Sequence, residues 1–183
     1  MRENNKVFVL LPDGIGLRNF AYSPFYKLSG AFGYDLTYWN VTPFPLAEMG
    51  YRELPMGDAP MDPWTHSYKN ARNLIEFKLN IRKSGDPIYN AYRFKSAPPK
   101  TFKLLLKRIF LEFLVATHSS ERGLARIRKM IARSERKTAY YRRCLDTLQK
   151  ERPQMIVCTN QRHISTIAPV LAAKDLGIPT AAF

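Results

Sequence analysis

The chain of 183 residues has two cysteines, three histidines and few acidic residues. Cys144 and Cys158 form no CxxC pair and have no histidine pair beside them, which excludes a zinc framework or a disulfide scaffold. Cys158 falls in an apolar run and reads as a small buried core residue. No apolar stretch approaches a membrane span. Residues 1–6 are polar and the apolar run after them covers only 7–11, too short for a secretory h-region, so a reducing, cytoplasmic location is expected. A Gly-x-x-x-x-Gly-Lys-[Ser/Thr] phosphate loop, a Gly-x-Ser-x-Gly elbow and a His-Glu-x-x-His pair are all missing, as are clustered carboxylates. Their absence sets aside P-loop, hydrolase-elbow, zinc-peptidase and two-metal chemistry. No cofactor and no metal site are expected. Against 15 Asp and Glu stand 29 Lys and Arg, a net charge of +14. A charge of that size points to nucleic acid, an anionic membrane surface or phosphorylated substrates, or to a plain solvated basic surface.

Both ends of the chain carry the same pattern. Residues 6–12 (Lys-Val-Phe-Val-Leu-Leu-Pro) read as a strand buried on both faces, followed by the glycine-bearing turn Asp13-Gly14-Ile15-Gly16. A helix over 19–32 follows, with Phe20, Phe25, Leu28 and Phe32 as its apolar contacts, then a strand over 35–41. At the other end a strand over 155–159 leads through the polar stretch Asn160-Gln161-Arg162-His163 to a helix over 164–176. Gly177 ends that helix, and a last buried strand covers 178–183. A buried strand as the final residues leads us to expect that the natural protein continues beyond them.

Between these β-α-β units, residues 42–63 hold five prolines and two glycines and read as a loop with one helical turn over 46–51. Helices are predicted over 63–82, 100–117 and 122–150, with a short aromatic segment at 88–95. The segment 61–152 is thus a helical excursion from one α/β domain spanning 1–183. The expected fold class is α/β, Rossmann-like, a parallel sheet with helices on both faces.

Ligands of such sheets bind beyond the carboxyl ends of the strands. Two loops lie there. In the first, Gly14 and Gly16 let a backbone approach a ligand and Arg18 adds a cation, while Asp13 is either a general base or a turn residue. The Gly-Ile-Gly spacing lacks a third glycine, and Asp35 starts its strand rather than ending it, so a dinucleotide site is not expected. In the second loop, Asn160, Gln161 and Arg162 suit a hydroxyl-rich or phosphate ligand, or else Asn160 caps the helix and Arg162 and His163 are solvated.

The strand that opens the chain, the entry Glu151-Arg152-Pro153-Gln154-Met155-Ile156-Val157 and the exit Lys174-Asp175-Leu176-Gly177-Ile178-Pro179 resemble segments of sugar transferases. Together they resemble the N-terminal, acceptor-side Rossmann-like domain of a GT-B glycosyltransferase. The resemblance leaves out the helical excursion. It implies one half of a two-domain enzyme, with a sugar, polysaccharide or lipid-linked cell-envelope molecule as acceptor. It also implies a nucleotide-sugar donor held mainly by a C-terminal domain of the same protein, and no turnover by this chain alone. Many inverting members carry a catalytic His after the first strand, where this chain offers Asp13. On this reading Asp13 is the catalytic candidate, and Gly14, Gly16, Arg18, Asn160, Gln161 and Arg162 bind substrate.

Two readings from other classes compete. One is a basic α/β module that binds nucleic acid, which the charge suits but no RNA-binding signature supports; Tyr22, Phe25, Tyr38 and Trp39 all fall in expected core elements. The other is a non-catalytic assembly module pairing through its long helices. The charge is also uneven. Between residues 100 and 152 stand 15 Lys and Arg against 5 Asp and Glu, beside a helix that is apolar on nearly every side and carries Lys100, Lys103 and Lys107 on one flank. A basic edge beside apolar side chains fits a peripheral contact with an anionic membrane. Equally, it fits a core-packed helix whose lysines reach out to water.

Overall fold

The computed structural model describes residues 5–58, 60–92 and 98–182. The chain forms two compact units, Met1–Met61 with Arg136–Phe183, and Asp62–Glu135. The first unit is the α/β domain. Its five strands are β1 (Lys6–Leu11), β2 (Asp35–Asn40), β3 (Glu53–Pro55), β4 (Met155–Cys158) and β5 (Thr180–Ala182). All pair in parallel, in the order β3-β2-β1-β4-β5. The chain therefore builds outward from β1 in one direction, returns, and builds outward in the other, so the strand order reverses between β1 and β4.

β1 is central because its side chains are apolar on both faces. Phe8 and Leu10 point one way and join Trp39, Ile156 and Cys158 beneath the helices α6 (Ala139–Glu151) and α7 (Ile167–Asp175). Val9 and Leu11 point the other way and join Leu36 and Tyr38 beneath Leu17, Ala21 and Leu46. Period-two alternation of apolar residues on both faces is what a parallel strand covered by helices on each side requires. The register runs from Lys6 opposite Asp35 to Leu11 opposite Asn40, and from Val7 opposite Met155 to Leu10 opposite Cys158.

Several expectations change. The predicted helix over 19–32 is two pieces, a π-helical turn at Leu17–Ala21 and α2 (Phe25–Ala31), and the glycine-bearing turn before it forms one short helical turn, α1 (Gly14–Gly16). No residue of α2 is buried, and Leu28 and Phe32, expected as contacts, are 54% and 78% exposed. The Phe25 ring turns inward, edge-on to Phe20, and the Tyr26 ring packs beside it against Tyr38 and Tyr51. Tyr22, expected in the core, is exposed as well. β3 forms inside the segment read as loop; three residues ending in Pro55 give too little pattern to be seen, yet they pair from Tyr38–Glu53 to Asn40–Pro55. The helical turn expected near residue 48 is there, as a 3-10 turn at Ala47–Met49. β5 is exposed throughout, not buried: it is the edge strand, paired among the described residues with β4 alone. Phe183 of that predicted strand lies outside the described residues.

The single helix expected over 122–150 is two, α5 (Glu121–Glu135) and α6. Thr138 begins the second by accepting the Tyr141 amide on its hydroxyl at 3.0 Å. The polar Ser134 and Thr138 in the middle of the stripe were the sign of that break. α6 closes at Arg152, in the left-handed region at φ 47°, and Pro153 cannot continue it. α6 covers the sheet.

The helical unit holds α3 (Thr65–Ser84), α4 (Phe102–His118) and α5. Ala71, Ile75 and Leu79 of α3, Leu114 and Val115 of α4, and Leu124, Ile127 and Ile131 of α5 are its buried apolar residues. Gly85 ends α3 at φ 67°, and Thr101 caps α4 by accepting the Leu104 amide. Buried Glu135, the last residue of α5, accepts the backbone N–H of Asp62 at 3.3 Å, so the first and last residues of the unit meet; burial pushes its carboxyl upward from the usual range. Of the aromatic segment at 88–95, residues up to Tyr92 form a 3-10 helix and the rest lie outside the described residues.

Candidate functional site

Reversal of strand order between β1 and β4 marks the switch point at which sheets of this kind open a ligand-binding crevice beyond the carboxyl ends, since the chain leaves the two strands toward opposite sides of the sheet. The two loops singled out in the sequence are the ones that leave there, and they are joined. The Asn160 side-chain amide donates to Asp13 Oδ2 at 2.6 Å. The other carboxylate oxygen, Oδ1, accepts the Gly16 backbone N–H at 2.9 Å, which makes Asp13 the cap of α1. One carboxylate thus holds its own turn and reaches across to the next loop.

Gly16 explains how closely the loops approach. A Cβ on this residue would lie 2.5 Å from Thr159 Oγ1 and 3.3 Å from Leu11 Cδ2. Thr159 is fixed from below, because its hydroxyl donates to the Leu10 carbonyl at 2.7 Å. The glycine is required for want of space and not for its torsion angles. Gly14, by contrast, has open space where its Cβ would be.

Asn160 also organises its own loop. Its Oδ1 accepts the Arg162 backbone N–H at 2.9 Å, and its carbonyl accepts the His163 N–H at 3.2 Å. His163 caps the following 3-10 turn at Ile164–Thr166: Nδ1 accepts the Ser165 N–H and lies 2.7 Å from Ser165 Oγ. Thr166 returns a hydroxyl bond to the His163 carbonyl at 2.7 Å. From below, the buried Tyr140 hydroxyl donates to the Ser165 carbonyl at 3.0 Å. These bonds tie the loop to itself and, through Tyr140, to α6.

Burial pushes the Asp13 carboxyl up. The Gly16 N–H, the Asn160 amide and the neighbouring His163 outweigh this and hold it below the ordinary carboxylate value. Asp13 is consequently ionised at neutral pH and accepts hydrogen bonds better than it takes a proton. Cys158, just beneath, is buried, and that burial pushes its thiol up, so it is not poised as a nucleophile.

The remaining site residues are exposed. Arg18 stands one turn beyond α1, its Nε donating to Asn19 Oδ1 at 3.2 Å. Gln161 and Arg162 are exposed on the second loop, and Arg162 is tied through its backbone to Asn160. The structure thus brings Asp13, Gly16 and Asn160 into one contact. It leaves Gly14, Arg18, Gln161 and Arg162 exposed on the two loops. Two contributors were not singled out from sequence. Thr159 reads as the end of an apolar strand, and nothing local says that its hydroxyl sets the loop spacing. His163 has the cap position before a helix, which was a legible signal. Among the described residues no group of three or more His, Cys, Asp or Glu is arranged to hold a metal ion.

No protein-family model matches the chain, and neither the curated proteins nor the solved structures give a significant match.

Proposed function

We propose that this chain is the acceptor-binding half of a GT-B-type glycosyltransferase, taking a sugar, polysaccharide or lipid-linked acceptor at the β1–β4 crevice. The observation that supports this best is the union of the Asp13 and Asn160 loops at the point where the strand order reverses. An ionised carboxylate and an amide at the floor suit hydroxyl groups, and Arg18 and Arg162 add cations for a phosphate-linked acceptor. Asp13 orients an acceptor hydroxyl in this reading, and its lowered pKa makes it a hydrogen-bond acceptor rather than a strong base. The donor nucleotide-sugar belongs to a second domain. The nucleic-acid alternative rests on charge alone, because no RNA-binding signature in the sequence accompanies it.

The test is ligand-observed NMR on the 183-residue chain with three probes: a disaccharide, a short-chain pyrophosphate-linked disaccharide and a nucleotide-sugar. The expected result is saturation transfer to the pyrophosphate-linked disaccharide, weakened severalfold in Asn160→Ala and Arg162→Ala. Transfer to the nucleotide-sugar alone, or acceptor binding unchanged in both variants, would remove the assignment.

A further inference from the structure

Helix α4 carries apolar side chains on two sides and packs only the C-terminal part of one of them. Leu114 and Val115 are buried within the helical unit. Phe102, Leu105, Leu106, Ile109 and Phe113 recur at three- and four-residue steps along the opposite side, and they are 41% to 74% exposed. At 1.5 Å per residue the stripe is roughly 16 Å long. Beside it, Phe110 sits at the boundary, edge-on to Trp64 at 5.4 Å, and Trp64 is itself 55% exposed. Contiguous large apolar side chains in water are a docking surface, since scattered single ones are ordinary and a continuous row is not.

The charge around the stripe states what covers it. Residues 62–135 hold 16 Lys and Arg against 6 Asp and Glu, so this unit carries +10 of the chain's +14. Lys103 stands beside the stripe on α4 and Lys107 one turn on toward the side of Leu114, both exposed and without an ion pair among the described residues, while Glu112 on the other flank is paired with Arg108. On α5, Arg122, Arg126, Lys129 and Arg133 form a second exposed row at four-, three- and four-residue steps, opposite the buried Leu124, Ile127 and Ile131. They too have no ion pair among the described residues. A row of Phe, Leu and Ile has no counterpart on a phosphate backbone, whereas an anionic bilayer offers both acyl chains and negative headgroups. Crossing the bilayer is a different matter. Lys103, Lys107, Arg108 and Glu112 lie within α4, and among the described residues no helix is long and apolar enough to span.

We propose that α4 is an interfacial membrane helix: it lies in the headgroup plane of an anionic bilayer, with Phe102, Leu105, Leu106, Ile109 and Phe113 inserted and the cations of the helical unit against the lipid phosphates. This surface belongs to the helical unit, and the proposal does not depend on the reading of the crevice. It would bring a lipid-borne molecule to the same protein.

The chain supplies its own reporter. Of its two tryptophans, Trp39 is buried and Trp64 is exposed beside the stripe. The experiment titrates the 183-residue chain with vesicles of neutral phosphatidylcholine, and of phosphatidylcholine with about a third phosphatidylglycerol, at low and high salt. Sedimentation and the tryptophan emission are both read. The expected result is binding to the anionic vesicles at low salt with a blue shift of emission, lost at high salt. Ile109→Gln with Phe113→Gln should weaken binding at least tenfold. Lys103→Gln with Lys107→Gln should weaken it about fivefold per cation removed. All four positions are exposed, and unchanged thermal melting confirms that the variants fold. No binding to anionic vesicles, or equal binding to neutral ones, would overturn the proposal. So would tight binding of a single-stranded RNA that the glutamine pair at 109 and 113 leaves intact, or a dimer that this pair dissociates while vesicles are ignored.

Discussion

Replacing Gly16 with alanine tests whether the two loops meet as described. The added Cβ falls 2.5 Å from Thr159 Oγ1, a separation that non-bonded atoms do not tolerate. Thr159 is a poor residue to displace. It is buried, and rotating its side chain breaks the 2.7 Å bond to the Leu10 carbonyl. Overpacking of this kind costs about 1–3 kcal/mol, and the loss of a buried hydroxyl bond costs about 1 kcal/mol. Against this, alanine is favoured over glycine in a helical turn by about 1 kcal/mol. The net expectation is a loss of about 2 kcal/mol. Thr159→Ala removes the colliding oxygen, so Gly16→Ala made in that background should cost less than about 0.5 kcal/mol, with the difference appearing as a coupling energy. The assay is urea unfolding followed by the emission of Trp39, which is buried in the same unit. Equal losses from Gly16→Ala in both backgrounds, or no loss in the parent, would show that Gly16 and Thr159 are not in contact. The account of the crevice floor would then fail.

In the helical unit, an alanine at Gly123 is expected to be worse, because its Cβ would lie 2.3 Å from the His118 carbonyl oxygen, a backbone atom that cannot rotate away. We expect a loss of about 3 kcal/mol in chemical denaturation, and a variant as stable as the parent would contradict the α4–α5 junction. Asp175 gives a pH test. Arg136 grips both carboxylate oxygens at 2.7 Å, and the Tyr141 hydroxyl donates to one at 2.6 Å, holding the carboxyl down at about 2 from 3.8. A depressed pKa means that this stabilisation is complete above pH 4 and is lost as the pH falls toward 2. Because the pair is partly solvated, about 1 kcal/mol is the expected size. Thermal melts of the parent and Asp175→Asn should differ by that amount at pH 6 and converge near pH 2. A constant difference across that range would place the effect elsewhere.

The local pattern of the chain was enough for most of the α/β architecture. Val7 to Leu11, Leu36 to Trp39 and Met155 to Cys158 are apolar runs bounded by turn residues. That pattern is set by neighbours in sequence, so their strand character and the parallel α/β class were legible. So were the ends of α3 at Gly85, α6 at Pro153 and α7 at Gly177, which follow from the backbone preferences of single residues. The two polar loops could also be placed at strand ends. What they do there could not. The bond from Asn160 to Asp13 joins residues 147 apart, and the contact of Thr159 with Gly16 exists because β4 pairs with β1. Which apolar face is covered is likewise a property of the assembled molecule. Leu28 and Phe32 have helical spacing but no element above them, and β5 has strand composition but only one neighbour among the described residues. α4 shows the limit most clearly. Its sequence is apolar on nearly every side, which is compatible with a core helix. Only the packing of Leu114 and Val115, with Ile109 and Phe113 left in water, determined which stripe faces inward and which faces outward. Periodicity records that a side chain is apolar; a partner on the far side of the contact decides whether it is buried.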